Sequence, residues 1–147
     1  MQRAERTVRV RAPIKDVYRF WRNFENFPQF MEHVERVQKL DADGQMTHWK
    51  LKGPMGTSVE YDARLTQDVE NTSIGWNSSG GSMQTSGTVT FTEIEDYTEV
   101  HVVMQWYDAP GGPIGEFVSK VFANPEAMLQ EDLERFKNLV ESRAKVS

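Results

Sequence analysis

From residue 7 to residue 12 apolar and polar side chains alternate one for one, with Val8, Val10 and Ala12 on one side. That period predicts a strand with one buried face. The period then changes. Pro13 opens a helix with Ile14, Val17, Tyr18 and Trp21 on one face, residues 23–26 interrupt it, and residues 27–31 restart a second short helix with Asn26 as its cap. From His33 the period returns to two and stays there. Residues 33–40 form a strand ending in an Asp-Gly turn, and residues 46–52 form the next, with Thr47, Trp49 and Leu51 opposite His48, Lys50 and Lys52. After the Gly-Pro-Met-Gly turn, Val59, Tyr61, Ala63 and Leu65 share the inner face of a strand. Ile74, Trp76 and Ser78 share that of another, before a loop over residues 78–82. Met83, Thr85, Gly87, Val89 and Phe91, then Val100, Val102, Met104 and Trp106, complete the set.

The last stretch is helical. Ile114, Phe117, Val118, Val121 and Phe122 recur at helical spacing, Asn124-Pro125 breaks the run, and Met128, Leu129, Leu133, Phe136, Leu139 and Val140 resume it. Glu131 with Arg135 and Glu141 with Lys145 are i,i+4 pairs for a solvated outer face. The order is one strand, two short helices, six strands joined by tight turns, and a long C-terminal helix. Tight turns make the six strands an antiparallel meander. One face alternates charged and the other apolar, so the sheet is wet on one side and the terminal helix covers the other. This is α+β in two layers, within one domain over residues 1–147. The part from Ile114 to Phe122, between Gly111-Gly112 and Asn124-Pro125, is expected to act as a gate.

Composition narrows the function classes. A net charge of -5 argues against nucleic acid as partner. Absence of cysteine removes disulfide and thiolate chemistry and suits a reducing compartment, and neither an apolar leader nor a membrane-length run is present. The expectation is a cytoplasmic protein, monomer or homodimer, without stable membrane insertion. No His pair has metal-ligand spacing and no G-x-S-x-G elbow occurs, so neither a metal nor a covalent nucleophile nor any other cofactor is expected. His33, His48 and His101 read as surface or structural residues. Glu60 and Asp62 face water by parity.

Four Trp and eight Phe in 147 residues are more aromatic surface than docking of short helices requires. The residues carrying them have a familiar arrangement. Val10-Arg11-Ala12-Pro13-Ile14 leads to Val17-Tyr18-Arg19-Phe20-Trp21, then Phe24-Glu25-Asn26-Phe27-Pro28-Gln29-Phe30-Met31-Glu32-His33-Val34. His48-Trp49, Glu60-Tyr61-Asp62-Ala63 and Glu131-Asp132-Leu133-Glu134-Arg135-Phe136-Lys137 follow. Over nearly its whole length the chain resembles the START-like helix-grip superfamily (SRPBCC), in its polyketide cyclase/dehydrase and coenzyme Q-binding branch. The resemblance implies a helix-grip fold: a seven-stranded antiparallel curved sheet wrapped around the C-terminal helix, with an apolar cavity between them. It implies a small hydrophobic ligand (a lipid, a polyprenyl quinone or a polyketide-like molecule) or, alternatively, cyclase, aromatase or dehydratase chemistry in the same space.

The candidate ligand-binding residues are Trp21, Phe30, Thr47, Trp49, Tyr61, Trp76, Met83, Phe91, Met104, Trp106, Phe117, Val121, Phe122 and Met128. Core packing alone accounts for any one of them. Together they have the character of a small-molecule site. Thr47, Thr57, Tyr61, Ser78 and Thr85 put hydroxyls on the same inner face, where each needs a partner, a water or a ligand. No catalytic residue stands out; Tyr61, Thr47 and Ser78 are the candidates, with the Tyr61 hydroxyl able to donate to a ketone or quinone oxygen.

Overall fold

The computed structural model describes residues 2–81, 84–107, 120–121 and 123–146. The alternating N-terminus forms β1 (Gln2–Val10), and Pro13, extended, precedes α1 (Ile14–Arg22). Asp16 in the first turn and Arg19 and Arg22 in the last complement the helix dipole. The second short helix starts earlier than expected: a 3-10 helix spans Phe24–Gln29 and Asn23, not Asn26, precedes it. Asn26 instead donates from Nδ2 to the Phe20 carbonyl, 3.1 Å, tying the 3-10 helix back to α1. Pro28 inside this segment has no N–H to donate, which suits a short 3-10 run better than an α-helix.

The meander follows as β2 (Val34–Lys39), β3 (Met46–Lys52), β4 (Ser58–Val69), β5 (Ser73–Gly81), β6 (Thr85–Ile94) and β7 (Tyr97–Trp106). β1 pairs antiparallel with β7, giving one seven-stranded sheet in the order β1-β7-β6-β5-β4-β3-β2. The expected loop at Ser78 is instead strand up to Gly81, with Gly80 opposite Asp62 and Gly81 opposite Tyr61. Between β4 and β5 the register slips twice, leaving Ser79 unpaired in β5 and Thr66 unpaired in β4. Such bulges add local twist and bend the strands, and here they help to curl the sheet into the half-barrel of a helix-grip fold. At Gly81 a Cβ would stand 2.4 Å from the Tyr61 Cα, so only glycine permits this approach.

The C-terminal helix α2 covers Pro125–Val146. Asn124 caps it: its carbonyl accepts from Met128 N–H and its Oδ1 from Ala127 N–H, 3.4 Å. Leu129, Leu133, Phe136 and Val140 are buried toward the sheet. Phe136 meets Phe20, Trp21 and Phe30 edge-on at 5.1–5.7 Å between centroids. The Arg6–Glu126 ion pair and the bond from Arg11 N–H to Glu141 Oε2 (2.8 Å) tie α2 to β1 and the residue that follows it. The proposed Glu131–Arg135 pair does not form. Arg135 turns inward to Asp132 and donates from Nε to the Phe30 carbonyl, 2.9 Å. A buried carboxylate and a free carbonyl hold a guanidinium fork better than an exposed Glu does. Of the expected helical run before Asn124, Lys120 and Val121 are helical; the rest of the supposed gate lies outside the described residues.

Candidate functional site

Between the concave face of the sheet and α2 lies a partly open cavity of about 60 Å³. That is room for a few water molecules. Its position follows from the alternation in β3 and β4, which sends Thr47, Trp49 and Leu51, and Tyr61, Ala63 and Leu65, inward. Trp76 enters from β5, and Thr85, Met104 and Trp106 from β6 and β7. Met128, Leu129 and Asp132 of α2 close the opposite side. Phe24, Phe27 and Met31 come from the 3-10 helix and the turn after it.

The aromatic walls have defined geometry. Trp49 and Tyr61 face each other across the β3–β4 ladder, so their rings lie parallel, 5° apart, with centroids at 6.1 Å. Phe27 meets Trp49 edge-on at 5.1 Å. Trp76 lies across Gly87, whose missing side chain leaves room for the indole: a Cβ there would stand 2.3 Å from Cζ2 of Trp76.

Polar groups in the wall are few. Trp49 Nε1 donates to Thr47 Oγ1, 2.7 Å, and Thr85 Oγ1 donates to the Gln105 carbonyl, 2.8 Å. The Tyr61 hydroxyl has no hydrogen-bond partner among the described residues, and burial holds its pKa well above the usual phenol value, so it stays protonated. Asp132 is the buried acid of the cavity. Burial raises its pKa to about 6, against the opposing pull of Glu32 N–H (3.3 Å) and of Arg135. The carboxyl therefore passes between acid and base forms near pH 6, within the cavity wall.

Of the candidate ligand-binding residues, Thr47, Trp49, Tyr61, Trp76, Met104, Trp106 and Met128 line the cavity. Trp21 and Phe30 do not: they pack with Phe27 and Phe136 in an aromatic cluster beside it. Phe91 packs on Tyr18 at 5.8 Å, and Val121 is buried but off the wall. Met83, Phe117 and Phe122 lie outside the described residues. Ser78 is occupied elsewhere, its Oγ accepting from Thr85 N–H at 3.0 Å, and Thr57 is an exposed turn residue bonded to the Pro54 carbonyl. His48 bridges Asp62 (2.6 Å) and Glu60 (2.9 Å) on the outer face, and His101 bonds Thr7 and Glu5 there. His33 reaches the cavity wall.

Asp132 is the residue that pattern reading missed. It had a signal: Leu129, Asp132, Leu133 and Phe136 share one helical face, so the acid sits within the apolar stripe.

A curled antiparallel sheet gripping a terminal helix around an aromatic cavity defines a class of small-molecule-binding folds, and comparison with known proteins narrows it. The model of the family described as polyketide cyclase/dehydrase and lipid transport matches residues 10–134, and the chain belongs to this family within the START-like superfamily. It is 32% identical over 146 residues to an uncharacterized 17.2 kDa protein of Streptomyces lincolnensis, covering 97% of this chain and 92% of the other. A crystal structure from Deinococcus radiodurans is 27% identical, with a TM-score of 0.74 over 95% of this chain and 98% of that one. The Zhui aromatase/cyclase of a Streptomyces species shares the fold at 17% identity, with a TM-score of 0.75 over 97% and 94% of the two chains. Among the described residues no helix is long and apolar enough to cross a membrane.

Proposed function

We propose that the protein binds a small hydrophobic ligand in the cavity between the sheet and α2, as a monomeric or homodimeric cytoplasmic carrier or binding module. One observation carries the reading: an aromatic cavity between sheet and helix whose wall includes only a handful of polar groups, in a family whose description includes lipid transport. Native mass spectrometry and solvent extraction of freshly purified protein test it, with a co-purifying hydrophobic molecule as the expected result. Protein that carries nothing, and whose Trp fluorescence responds to no member of a panel of lipids, quinones and aromatic ketones, overturns it.

A second reading has its own observation. Asp132, buried in the cavity wall and titrating near pH 6, has the placement and acidity of a general acid-base group. That supports a cyclase, aromatase or dehydratase acting on a polyketide-like substrate, with Tyr61 and Thr47 positioning carbonyls. For an identified substrate, turnover unchanged in Asp132→Asn and Tyr61→Phe removes this reading and leaves binding in place.

A further inference from the structure

We infer that residues 31–33 form a proton-controlled strap across the cavity: a proton on Asp132 keeps the strap closed against α2, and loss of that proton lets it lift. The strap stands on the geometry of the wall; its use in admitting a ligand rests on the ligand-binding reading.

The strap is short and fixed at both ends. Phe30, 1% exposed, is packed by the rings of Trp21, Phe27 and Phe136, and its carbonyl accepts from Arg135 Nε at 2.9 Å. Val34 begins β2 opposite Leu51. The three residues between belong to neither helix nor strand, and Met31 and His33 line the cavity. Met31 N–H donates to the Phe27 carbonyl (2.8 Å), Val34 N–H to the Met31 carbonyl (3.1 Å) and Lys52 N–H to the His33 carbonyl (2.8 Å). The fourth tether, from Glu32 N–H to Asp132 Oδ1, is the one that reaches α2, and at 3.3 Å it is the longest of the four. Glu32 is exposed, so here the strap can part from the helix and admit water.

Asp132 is the group that the strap closes over. Its bonds from Glu32 N–H and from Arg135 both fall on Oδ1, and Oδ2 has no partner among the described residues. An ionised carboxylate has about four acceptor sites to fill, so with one oxygen bare in an apolar wall the neutral acid is the better tenant. The surrounding charges do not reverse this. Burial outweighs Glu32 N–H, Arg135 and, last, the His33 ring on the strap. Tyr61 and Arg64 of β4 line the same cavity, and the Tyr61 phenol is neutral. A carboxyl that is harder to ionise when covered than when wet binds its proton more tightly in the closed state. By linkage, ionisation then favours the open one. Arg135 stays on the Phe30 carbonyl while the strap moves, because Phe30 belongs to the packed aromatic set.

Amide hydrogen exchange of the full chain, read residue by residue by NMR and corrected for the intrinsic rate at each pH, tests the strap without any ligand. The Glu32 and Val34 amides should exchange through a local opening, insensitive to low urea and far less protected than Val100 and Val102 of β7. If the lifted strap returns Asp132 to ordinary carboxylate acidity, their protection falls about tenfold between pH 5 and pH 7.5. The fall should level off above the pH at which the Asp132 carboxyl carbon itself titrates. Asp132→Asn should make strap protection the same at both pH values, and His33→Gln should leave the fall in place. Strap amides as protected as those of β7 would mean that Asp132 meets water only on global unfolding, which overturns the strap. So would protection that does not change with pH, a fall that persists in Asp132→Asn, or one that disappears in His33→Gln. Should Asp132→Asn not fold, the wild type decides: a fall that continues well past the Asp132 titration overturns the assignment. Each of these failures leaves the ligand-binding reading to its own extraction test.

Discussion

Asp132 offers a quantitative test of how the site is built. It sits within the apolar stripe of α2 with its side chain 5% exposed. Its pKa rises from the ordinary 3.8 to about 6, because desolvation of the carboxylate outweighs Glu32 N–H and Arg135. The folded chain therefore holds a proton that the unfolded chain has released between about pH 4 and pH 6. The stability this proton contributes is complete below pH 4 and is lost as the pH rises through 6. A difference of about 2 pH units corresponds to about 3 kcal/mol. Asp132→Asn keeps the shape and removes the titration. Urea unfolding of both proteins from pH 4.5 to 8, followed by Trp fluorescence, should show the wild type losing about 2 kcal/mol relative to the variant across that range, the first part of the loss having occurred below pH 4.5. The pH dependence of the difference is the decisive quantity, since lost bonds to Arg135 and Glu32 offset it by a constant. A difference that stays flat, or a wild type that gains on the variant as pH rises, would show that Arg135 keeps the carboxylate charged throughout and would refute the argument.

Three further predictions use other parts of the fold. Leu133→Ala, at a fully buried position on α2, should lower unfolding free energy by about 2–5 kcal/mol; a loss below about 1 kcal/mol would mean that α2 does not pin the sheet. Gly87→Ala should push Trp76 off β6, with a loss of about 1–3 kcal/mol and an altered Trp emission, whereas an unchanged spectrum would contradict the close contact. The His48 ring should titrate above 6.5 by NMR, held up first by Glu60 and then by Asp62, and Glu60→Gln should bring its midpoint down.

What was legible in the sequence was whatever repeats along a single strand or helix. Thr47, Trp49, Leu51, Val59, Tyr61 and Ala63 point inward because alternation alone fixes their face. The break at Asn124-Pro125 was legible because capping chemistry is local. Features that depend on two segments meeting were not. The pairing of β1 with β7 involves positions about ninety residues apart, as Val8 opposite Val100 shows. The continuation of β5 through Gly81 depends on a bulge and on Tyr61 across the ladder, so a Ser-Gly run read as a loop. Trp21 and Phe30 have the same apolar signature as Trp49 and Trp76, and only the packing of α2 separates core from cavity wall.

That separation has a physical consequence. The aromatic residues fall into two sets joined through Phe27, which touches Trp21 at 5.2 Å on one side and Trp49 at 5.1 Å on the other. The first set (Trp21, Phe27, Phe30 and Phe136) is nearly free of solvent and locks α1, the 3-10 helix and α2 together through edge contacts worth about 0.5–1.5 kcal/mol each beyond their burial. The second set faces the cavity. Trp49 cannot swing toward Phe27 without disturbing the locked set behind it, so this part of the wall is held in shape. On the proposed ligand-binding reading, a molecule that presses Trp49 onto Phe27 must also distort the aromatic set that fastens α1 and the 3-10 helix to α2.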